Sequence, residues 1–190
     1  ENDTTSESFP TEGNVLLGAE AAATNEEANT AHTADKAIDG NGKTRWATDR
    51  DVENPSLTLT LKQLSKIQTI EIDWDKRNGK SNIDEWELLY ATESTDNTAT
   101  GVTEWQVAHH REGNPTLSEQ VVLEQAITAK YLKLNILNYS AGSLGWRNVG
   151  ISEIRALPNV PKQSSLDQIE ALTLNADETE VLLPQTDGQL

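Results

Sequence analysis

The sequence of 190 residues contains no cysteine and no methionine. The absence of cysteine excludes a disulfide framework, a thiolate metal site and thiol catalysis. Basic residues are also scarce, because 15 Lys and Arg stand against 31 Asp and Glu and give a formal net charge of −16. Nucleic acids and anionic membrane surfaces both require basic side chains to neutralise their phosphates. We therefore expect no nucleic acid and no membrane among the partners.

Long hydrophobic runs are missing as well. No segment approaches the ~18 consecutive apolar residues of a membrane-spanning helix, and only 35% of the residues are hydrophobic. No stretch shows a sustained apolar period of 3.6 residues, and GAEAAATNEEANTA (18–31) is rich in Ala without forming a wide apolar stripe. An all-β domain can still build a core from this content if its strands alternate.

The two ends of the chain differ in composition from its middle. Residues 1–13 carry four acids and no base, which is typical of an acidic disordered linker. Residues 159–190 carry six acids and one base, and their segment ALTLNADETEVLLPQTDGQL alternates like a pair of strands. We interpret this end as a linker and the start of a further small β module. The central domain then spans residues 14–158.

Short segments in the middle of the chain alternate between apolar and polar residues and are separated by turn-forming residues. This period of two indicates half-buried strands. Several such strands with regular turns favour an antiparallel β-sandwich, whose loops lie at two ends and usually carry the binding sites. The predicted strand segments are residues 56–61, 70–74, 86–90, 104–107, 119–125, 131–137 and 150–157.

Most of the aromatic residues are expected in the core. Trp74, Trp86 and Trp105 fall on the apolar faces of predicted strands. His109 and His110 are neighbours on one strand, so their side chains point to opposite faces and cannot form a metal pair. We expect both histidines at the surface.

The segment DKAIDGNGKTRW (35–46) collects turn-forming and oxygen-bearing residues directly before a tryptophan. The Asp-Gly and Asn-Gly pairs at 39–42 are typical of tight turns, since Asp and Asn cap turns and Gly adopts positive φ. The side-chain oxygens of Asp39 and Thr44 can also converge on one point, and calcium takes about six to eight oxygen ligands. The acid pattern of an EF-hand is absent, so spacing alone favours a turn.

Four segments, taken in order, resemble the discoidin-like domains, also called coagulation factor V/VIII type C domains. They are NVLLGAEA (14–21), AIDGNGKTRW (37–46), AKYLKLNIL (129–137) and ISEIRAL (151–157). Bacterial members of this family are the family 32 carbohydrate-binding modules. The resemblance covers about residues 14–158 and implies a jelly-roll β-sandwich of about eight antiparallel strands.

The resemblance also implies a structural calcium ion in the loop before Trp46, which itself would belong to the core. Two carboxylates, a hydroxyl and several backbone carbonyls suit a hard cation. The ligands implied by the family are the side chains of Asp39, Thr44 and Glu153 and the backbone carbonyls of Lys36, Asn41, Thr44 and Ser152.

Sugar recognition requires an aromatic face for the pyranose ring and a few fixed polar groups for its hydroxyls. Trp146 lies in the Gly- and Ser-rich loop SAGSLGWRN, so we expect it to be exposed, and the family often carries a platform aromatic there. Arg77 and Asn82 in WDKRNGKSN (74–82) can bind hydroxyls, and their spacing matches sugar-contacting residues of galactose- and N-acetylgalactosamine-binding members. The alternatives are a Trp that folds back on the core and a solvated charged turn.

The sequence departs from the family at one point. Many members carry a sugar-contacting His shortly after the Trp of the opening motif, whereas ATDRDVENP (47–55) contains none. Asp49 and Arg50 are the possible substitutes. The preference for galactose is therefore open, and N-acetylgalactosamine, N-acetylglucosamine and mannose are alternatives.

These features predict a non-catalytic, calcium-stabilised module that directs a larger secreted or surface-attached bacterial glycoside hydrolase to terminal sugars of glycans. It would act as a monomer within a multimodular chain. The alternatives are a structural or protein-binding spacer without a working sugar site and a phospholipid-binding discoidin domain, which the acidic and neutral loops disfavour. An enzyme is disfavoured because no nucleophile elbow, zinc motif or phosphate loop is present.

Overall fold

The computed structural model describes residues 13–75 and 81–159. The predicted linker, apart from its last residue, and the predicted second module, apart from its first, lie outside the described residues. Within these two ranges, no helix is long and apolar enough to cross a membrane.

Seven antiparallel strands and two short 3-10 turns account for the regular structure of the described chain. The strands are β1 (Glu20–Ala23), β2 (Trp46–Ala47), β3 (Ser56–Trp74), β4 (Ile83–Ala91), β5 (Gln106–Glu112), β6 (Ser118–Tyr139) and β7 (Gly150–Leu157), and the turns are Ala34–Ala37 and Ala99–Gly101. The strands pair in the order β2-β7-β3-β6-β4-β5, and β1 pairs with β3. The prediction of an all-β antiparallel fold is therefore confirmed.

Two long strands, β3 with 19 residues and β6 with 22, connect the layers of the sandwich. They pair with each other, but their register shifts between Thr60 and Ser65 and again between Ile67 and Thr69. Before the first shift β3 also pairs with β1, and after the second it pairs with β7. Because such bulges bend a strand, each long strand passes from one layer to the other.

This bend explains how the structure differs from the predicted strand list. Segments 56–61 and 70–74 are the two halves of β3. Segments 119–125 and 131–137 are likewise the two halves of β6. The segments that join these halves are bulges inside continuous strands rather than loops.

The core between the layers contains three tryptophans. Trp46, Trp74 and Trp86 are at most 1% exposed, which confirms the core position expected for each of them. Trp74 and Trp86 meet edge to face with ring centres 6.1 Å apart, and Trp46 donates a hydrogen bond from Nε1 to the carbonyl of Asn25 at 3.0 Å. The largest aliphatic side chains around them are Leu16, Leu57, Leu61, Ile67, Ile70, Ile72, Ile83, Leu132 and Ile136.

The expectations for the edge strand β5 were partly wrong. Trp105 is only half-buried and precedes the strand, and Val107 is 60% exposed. The reason is that β5 pairs only with β4, so its outer side lacks the cover of a neighbour. His109 is half-buried rather than at the surface, with its ring centre 5.2 Å from that of Trp86; its pKa is lowered mainly by burial. His110 is exposed, as expected.

A largely buried carboxylate links two of the core tryptophans through hydrogen bonds. Glu119 accepts hydrogen bonds from Nε1 of Trp74 at 2.7 Å and from Nε1 of Trp86 at 3.1 Å. Arg111 donates to the same carboxylate from Nε at 3.2 Å and from Nη2 at 2.8 Å. The side chains of Arg111 and Glu119 are only 15% and 9% exposed, so loss of the acid would leave a buried cation and two indole N–H groups without this partner.

We predict that Glu119→Ala lowers the free energy of unfolding by roughly 3 kcal/mol, because breaking a buried ion pair leaves an uncompensated charge. Denaturant unfolding measures the effect. Glu124→Ala, an exposed acid on the same strand, is the matched control and should change stability by less than about 0.5 kcal/mol. A similarly small loss in both variants would contradict this role of Glu119.

Candidate functional site

Three connecting loops meet at one end of the sandwich, where backbone hydrogen bonds join them. In chain order the described residues of these loops are 48–55 after β2, 75 and 81–82 between β3 and β4, and 140–149 after β6. The bonds run from the N–H of Thr48 to the carbonyl of Val149 (2.9 Å), from Asp51 to Arg147 (2.9 Å) and from Ser140 to Asn82 (2.8 Å). The loops therefore hold one another in place and present their side chains on a shared surface.

Trp146 projects from the third loop with 43% of its surface exposed. A tight turn holds it, since the carbonyl of Trp146 accepts from the N–H of Gly142 at 2.9 Å and the carbonyl of Gly142 accepts from Gly145 at 2.9 Å. Gly145 has a φ of +74°, a left-handed conformation that glycine adopts without strain. The exposure expected for Trp146 is confirmed, and the alternative of a core tryptophan is excluded.

The structure places Arg50 against this tryptophan. Its guanidinium carbon lies 4.4 Å from the ring centre of Trp146, which is cation–π geometry. Asp49 has a different position, because its carboxylate accepts from the N–H of Ala28 at 3.0 Å and from Nδ2 of Asn25 at 3.1 Å. Both hydrogen bonds lower the pKa of Asp49, and the bond from Ala28 has the larger effect. Of the two substitutes for the missing His, Arg50 is the one beside the aromatic ring.

Asn82 supports the loop that carries the tryptophan. It is only 7% exposed, and its Nδ2 donates to the carbonyls of Ser140 and Asn148, both at 2.8 Å. The two carbonyls lie at opposite ends of the loop, so one amide group closes it. Arg77 lies outside the described residues. A sugar contact from either residue stays a prediction.

Arg147 and Tyr139 also belong to this surface, although the sequence did not single out Arg147. The guanidinium carbon of Arg147 lies 4.2 Å from the ring centre of Tyr139, and its Nη1 lies 3.6 Å from Oδ1 of Asp51. Tyr139 is buried and donates its hydroxyl to the carbonyl of Val52 at 2.5 Å. The sequence feature that could have indicated Arg147 at this surface is its position directly after Trp146.

The loop before Trp46 is closed by its own side chains. Thr44 Oγ1 donates toward the carboxylate of Asp39, with distances of 2.9 and 2.8 Å to its two oxygens, and also lies 2.7 Å from the carbonyl of Asn41. The ammonium of Lys36 lies 3.8 Å from Oδ2 of Asp39. The structure thus brings together the carboxylate of Asp39, the hydroxyl of Thr44 and the carbonyl of Asn41. This geometry is compatible with a tight turn and with a metal-binding loop.

Glu153 on β7 is the unusual residue of this region. It is 3% exposed, and neither carboxylate oxygen has a hydrogen-bond partner. Burial is the main cause that raises its pKa; Arg155 opposes the shift and the charge of Asp39 adds to it. The nearby backbone N–H of Gly40 lowers this pKa by a smaller amount. This N–H does not form a hydrogen bond with either carboxylate oxygen of Glu153.

A bound cation would resolve this arrangement, because it would give the Glu153 carboxylate the direct partner that it lacks. Ser152 is buried beside Glu153, which places its carbonyl on the same strand segment. Among the described residues, no group of three His, Cys, Asp or Glu side chains forms a metal site. A cation here would therefore depend on hydroxyl and carbonyl oxygens in addition to the two carboxylates.

Comparisons with known proteins agree with this architecture. The family model of the F5/8 type C domain matches residues 20–151. No curated protein matches the sequence significantly.

Several solved structures share the fold. The family 32 carbohydrate-binding module of NanJ from C. perfringens, in complex with galactose, is 23% identical with a TM-score of 0.62, covering 76% of this chain and 98% of that one. Chitosan-binding module 2 of a chitosanase/glucanase from Paenibacillus sp. IK-5, in complex with chitotriose, is 19% identical with a TM-score of 0.64, covering 76% and 99%. The family 32 module of Streptococcus pneumoniae EndoD is 18% identical with a TM-score of 0.62, covering 77% and 100%. The predicted jelly-roll fold is thereby confirmed.

We predict that Asn82→Ala destabilises the protein by about 2 kcal/mol, because the buried carbonyl of Asn148 and the carbonyl of Ser140 lose their donor. Amide hydrogen exchange should rise selectively in residues 140–149. The exposed Asn138→Ala is the control and should leave both stability and exchange near the wild-type values. Unchanged exchange in the loop of the Asn82 variant would show that the amide does not hold it.

Proposed function

We propose that this chain, which belongs to the F5/8 type C domain family, is a non-catalytic module that binds glycans. The observation that carries the proposal is the exposed indole of Trp146, held by a tight turn in a loop that hydrogen bonds connect to two others. Neighbours of the same fold are described in complex with galactose and with chitotriose. At this low sequence identity the two neighbours support only the fold. The support for the function comes from the surface around Trp146.

The geometry suits a terminal sugar. The apolar face of a pyranose ring packs on the indole, while the guanidinium of Arg50, 4.4 Å from the ring centre, donates hydrogen bonds to hydroxyl groups. Galactose, N-acetylgalactosamine and N-acetylglucosamine are the sugar types we propose. Because few groups make contact, affinity for one sugar is weak, and several modules in a longer chain would strengthen it.

We further propose that calcium occupies the loop before Trp46 and stabilises the module. The support is the buried, unpartnered carboxylate of Glu153 near Asp39. The residues that would hold the ion are Asp39, Thr44 and Glu153 through side chains and Lys36, Asn41, Thr44 and Ser152 through carbonyls. When bound, the ion supplies charge compensation and joins this loop to β7.

We propose that the module is part of a secreted or surface-attached bacterial glycoside hydrolase and brings that enzyme to its substrate. The module would be monomeric within this longer chain. The support is the description of one neighbour as a module derived from a chitosanase/glucanase. A spacer without a working sugar site is the second candidate, favoured by the absence of a His from residues 47–55.

Trp146→Ala is expected to abolish binding on a glycan array while the far-ultraviolet circular dichroism and melting temperature stay close to wild type, since the side chain is exposed. Trp105→Ala, which removes a half-buried tryptophan outside the three loops, should retain binding. A wild-type protein that is folded and calcium-loaded but binds no glycan would favour the spacer. Equal binding by wild type and the Trp146 variant would place the site elsewhere.

Calcium is expected to raise the melting temperature, with about 2.7 kcal/mol of stabilisation at 100 times Kd.

Since the folded state raises the pKa of Glu153 above its ordinary 4.5, ionisation of Glu153 opposes folding increasingly as the pH rises above that value. The free energy of unfolding of the calcium-free protein therefore falls as the pH rises above about 4.5, and the stabilisation by calcium grows in the same direction.

Glu153→Gln tests this assignment. At neutral pH the variant should be more stable than wild type without calcium and should lose most of the calcium response, as measured by thermal unfolding with and without chelator. Glu104→Gln, an exposed acid, should keep the wild-type response. A full calcium response in the Glu153 variant would contradict the proposed site.

A further inference from the structure

We infer that the sugar recognised at this surface carries a carboxylate, and that Arg50 is the residue that selects it. The inference rests on the proposed glycan-binding function and narrows its ligand from the neutral hexoses named above to their carboxylated counterparts, the uronic acids, or another carboxylated sugar. It is carried by the side-chain partners of Arg50 and of its neighbours.

Arg50 differs from the other arginines of the described chain because no carboxylate pairs with it. Its guanidinium is exposed and contacts the indole of Trp146. Stacking on an aromatic face leaves all N–H donors of the planar fork available. The other four arginines each lie near an acid: Arg45 at 3.3 Å from Asp75, Arg111 at 2.8 Å from Glu119, Arg147 at 3.6 Å from Asp51, and Arg155 at 2.8 Å from Glu71.

The acids on either side of Arg50 are engaged elsewhere. Asp49 accepts hydrogen bonds from Ala28 and Asn25, and Asp51 lies against Arg147. In a chain with twice as many acids as bases, an arginine without an internal partner is therefore a specific feature of this surface rather than the result of a shortage of carboxylates.

The loops also fix the distance between the cation and the ring. The N–H of Asp51 bonds to the carbonyl of Arg147 at 2.9 Å, and these residues directly follow Arg50 and Trp146. This bond holds the two side chains next to each other, with 4.4 Å between guanidinium carbon and ring centre. The guanidinium covers part of one face of the indole, so one monosaccharide can contact both groups where it packs beside the guanidinium on the part of the indole that stays exposed.

A carboxylate is the anion that this pair fits best. The planar fork of Arg binds a planar carboxylate through two parallel hydrogen bonds, and a hexuronic acid carries that group on the ring carbon C5, beside the face that packs on an indole. A sulfate ester offers the same charge but a tetrahedral shape. Asp51 and the overall negative charge of the protein weaken long-range attraction, so selectivity depends on direct contact rather than on steering.

The experiment compares matched methyl glycosides by calorimetry or ligand-observed NMR on the calcium-loaded chain. In both the galactose and the glucose series it uses the neutral sugar, the uronic acid and the 6-sulfate. The wild type should bind one uronic acid roughly tenfold more tightly than its neutral counterpart, the effect of one charge-assisted pair. That ratio should fall toward one in Arg50→Gln and stay intermediate in Arg50→Lys, which keeps the charge but lacks the fork.

Lys66→Gln is the control for charge, since it removes an exposed cation on β3 outside the three loops and should preserve the ratio. Equal affinity for neutral and acidic sugars, or an unchanged ratio in Arg50→Gln, would overturn this inference while leaving the glycan-binding function in place. Preference for the sulfate would overturn the choice of carboxylate. Absence of binding to all of these sugars and to a glycan array would overturn the proposed function itself.

Discussion

The pairing of β3 with β6 in both layers is the constraint on which the rest of the structure depends. Because the two strands share their register shifts between Thr60 and Thr69, they bend together from one layer into the other. The loops before β3 and after β6 and the start of β4 consequently lie at the same end of the sandwich. Hydrogen bonds among these loops then position Trp146 and Arg50, so that the surface proposed for sugars follows from the bend of two strands.

The proposed metal region is connected to this surface through the start of β7. The third loop ends at Val149, which bonds to Thr48 in both directions, and Glu153 follows only four residues later. At Gly150 an added Cβ would lie 2.6 Å from Cβ of Asp75, so only glycine allows β3 and β7 to approach this closely. A cation that fixes Glu153 would also restrain β7, the strand at which the Trp146 loop ends.

The sequence predicted the features that depend on local pattern and composition. Alternation located both halves of the long strands, and the Gly- and Ser-rich setting of Trp146 correctly indicated its exposure. The continuity of β3 and β6 was missed, because a bulge interrupts the alternation of apolar and polar residues without ending the strand. The burial of Asn82 and the contact between Arg50 and Trp146 join residues 58 to 96 positions apart, which no local pattern reports. Trp105 was misplaced because alternation does not reveal that it precedes a strand at the edge of the sheet.

The most direct measurement is a two-dimensional ¹H–¹⁵N NMR titration that follows the indole N–H signals of the five tryptophans as a sugar is added. The indoles of Trp46, Trp74 and Trp86 are buried and donate to protein oxygens, and Trp105 lies outside the three loops. A terminal sugar should therefore shift the signal of Trp146 alone, together with backbone signals of residues 49–51 and 140–149. Shifts centred on Trp105 and β5, with that of Trp146 unchanged, would contradict the location of the site.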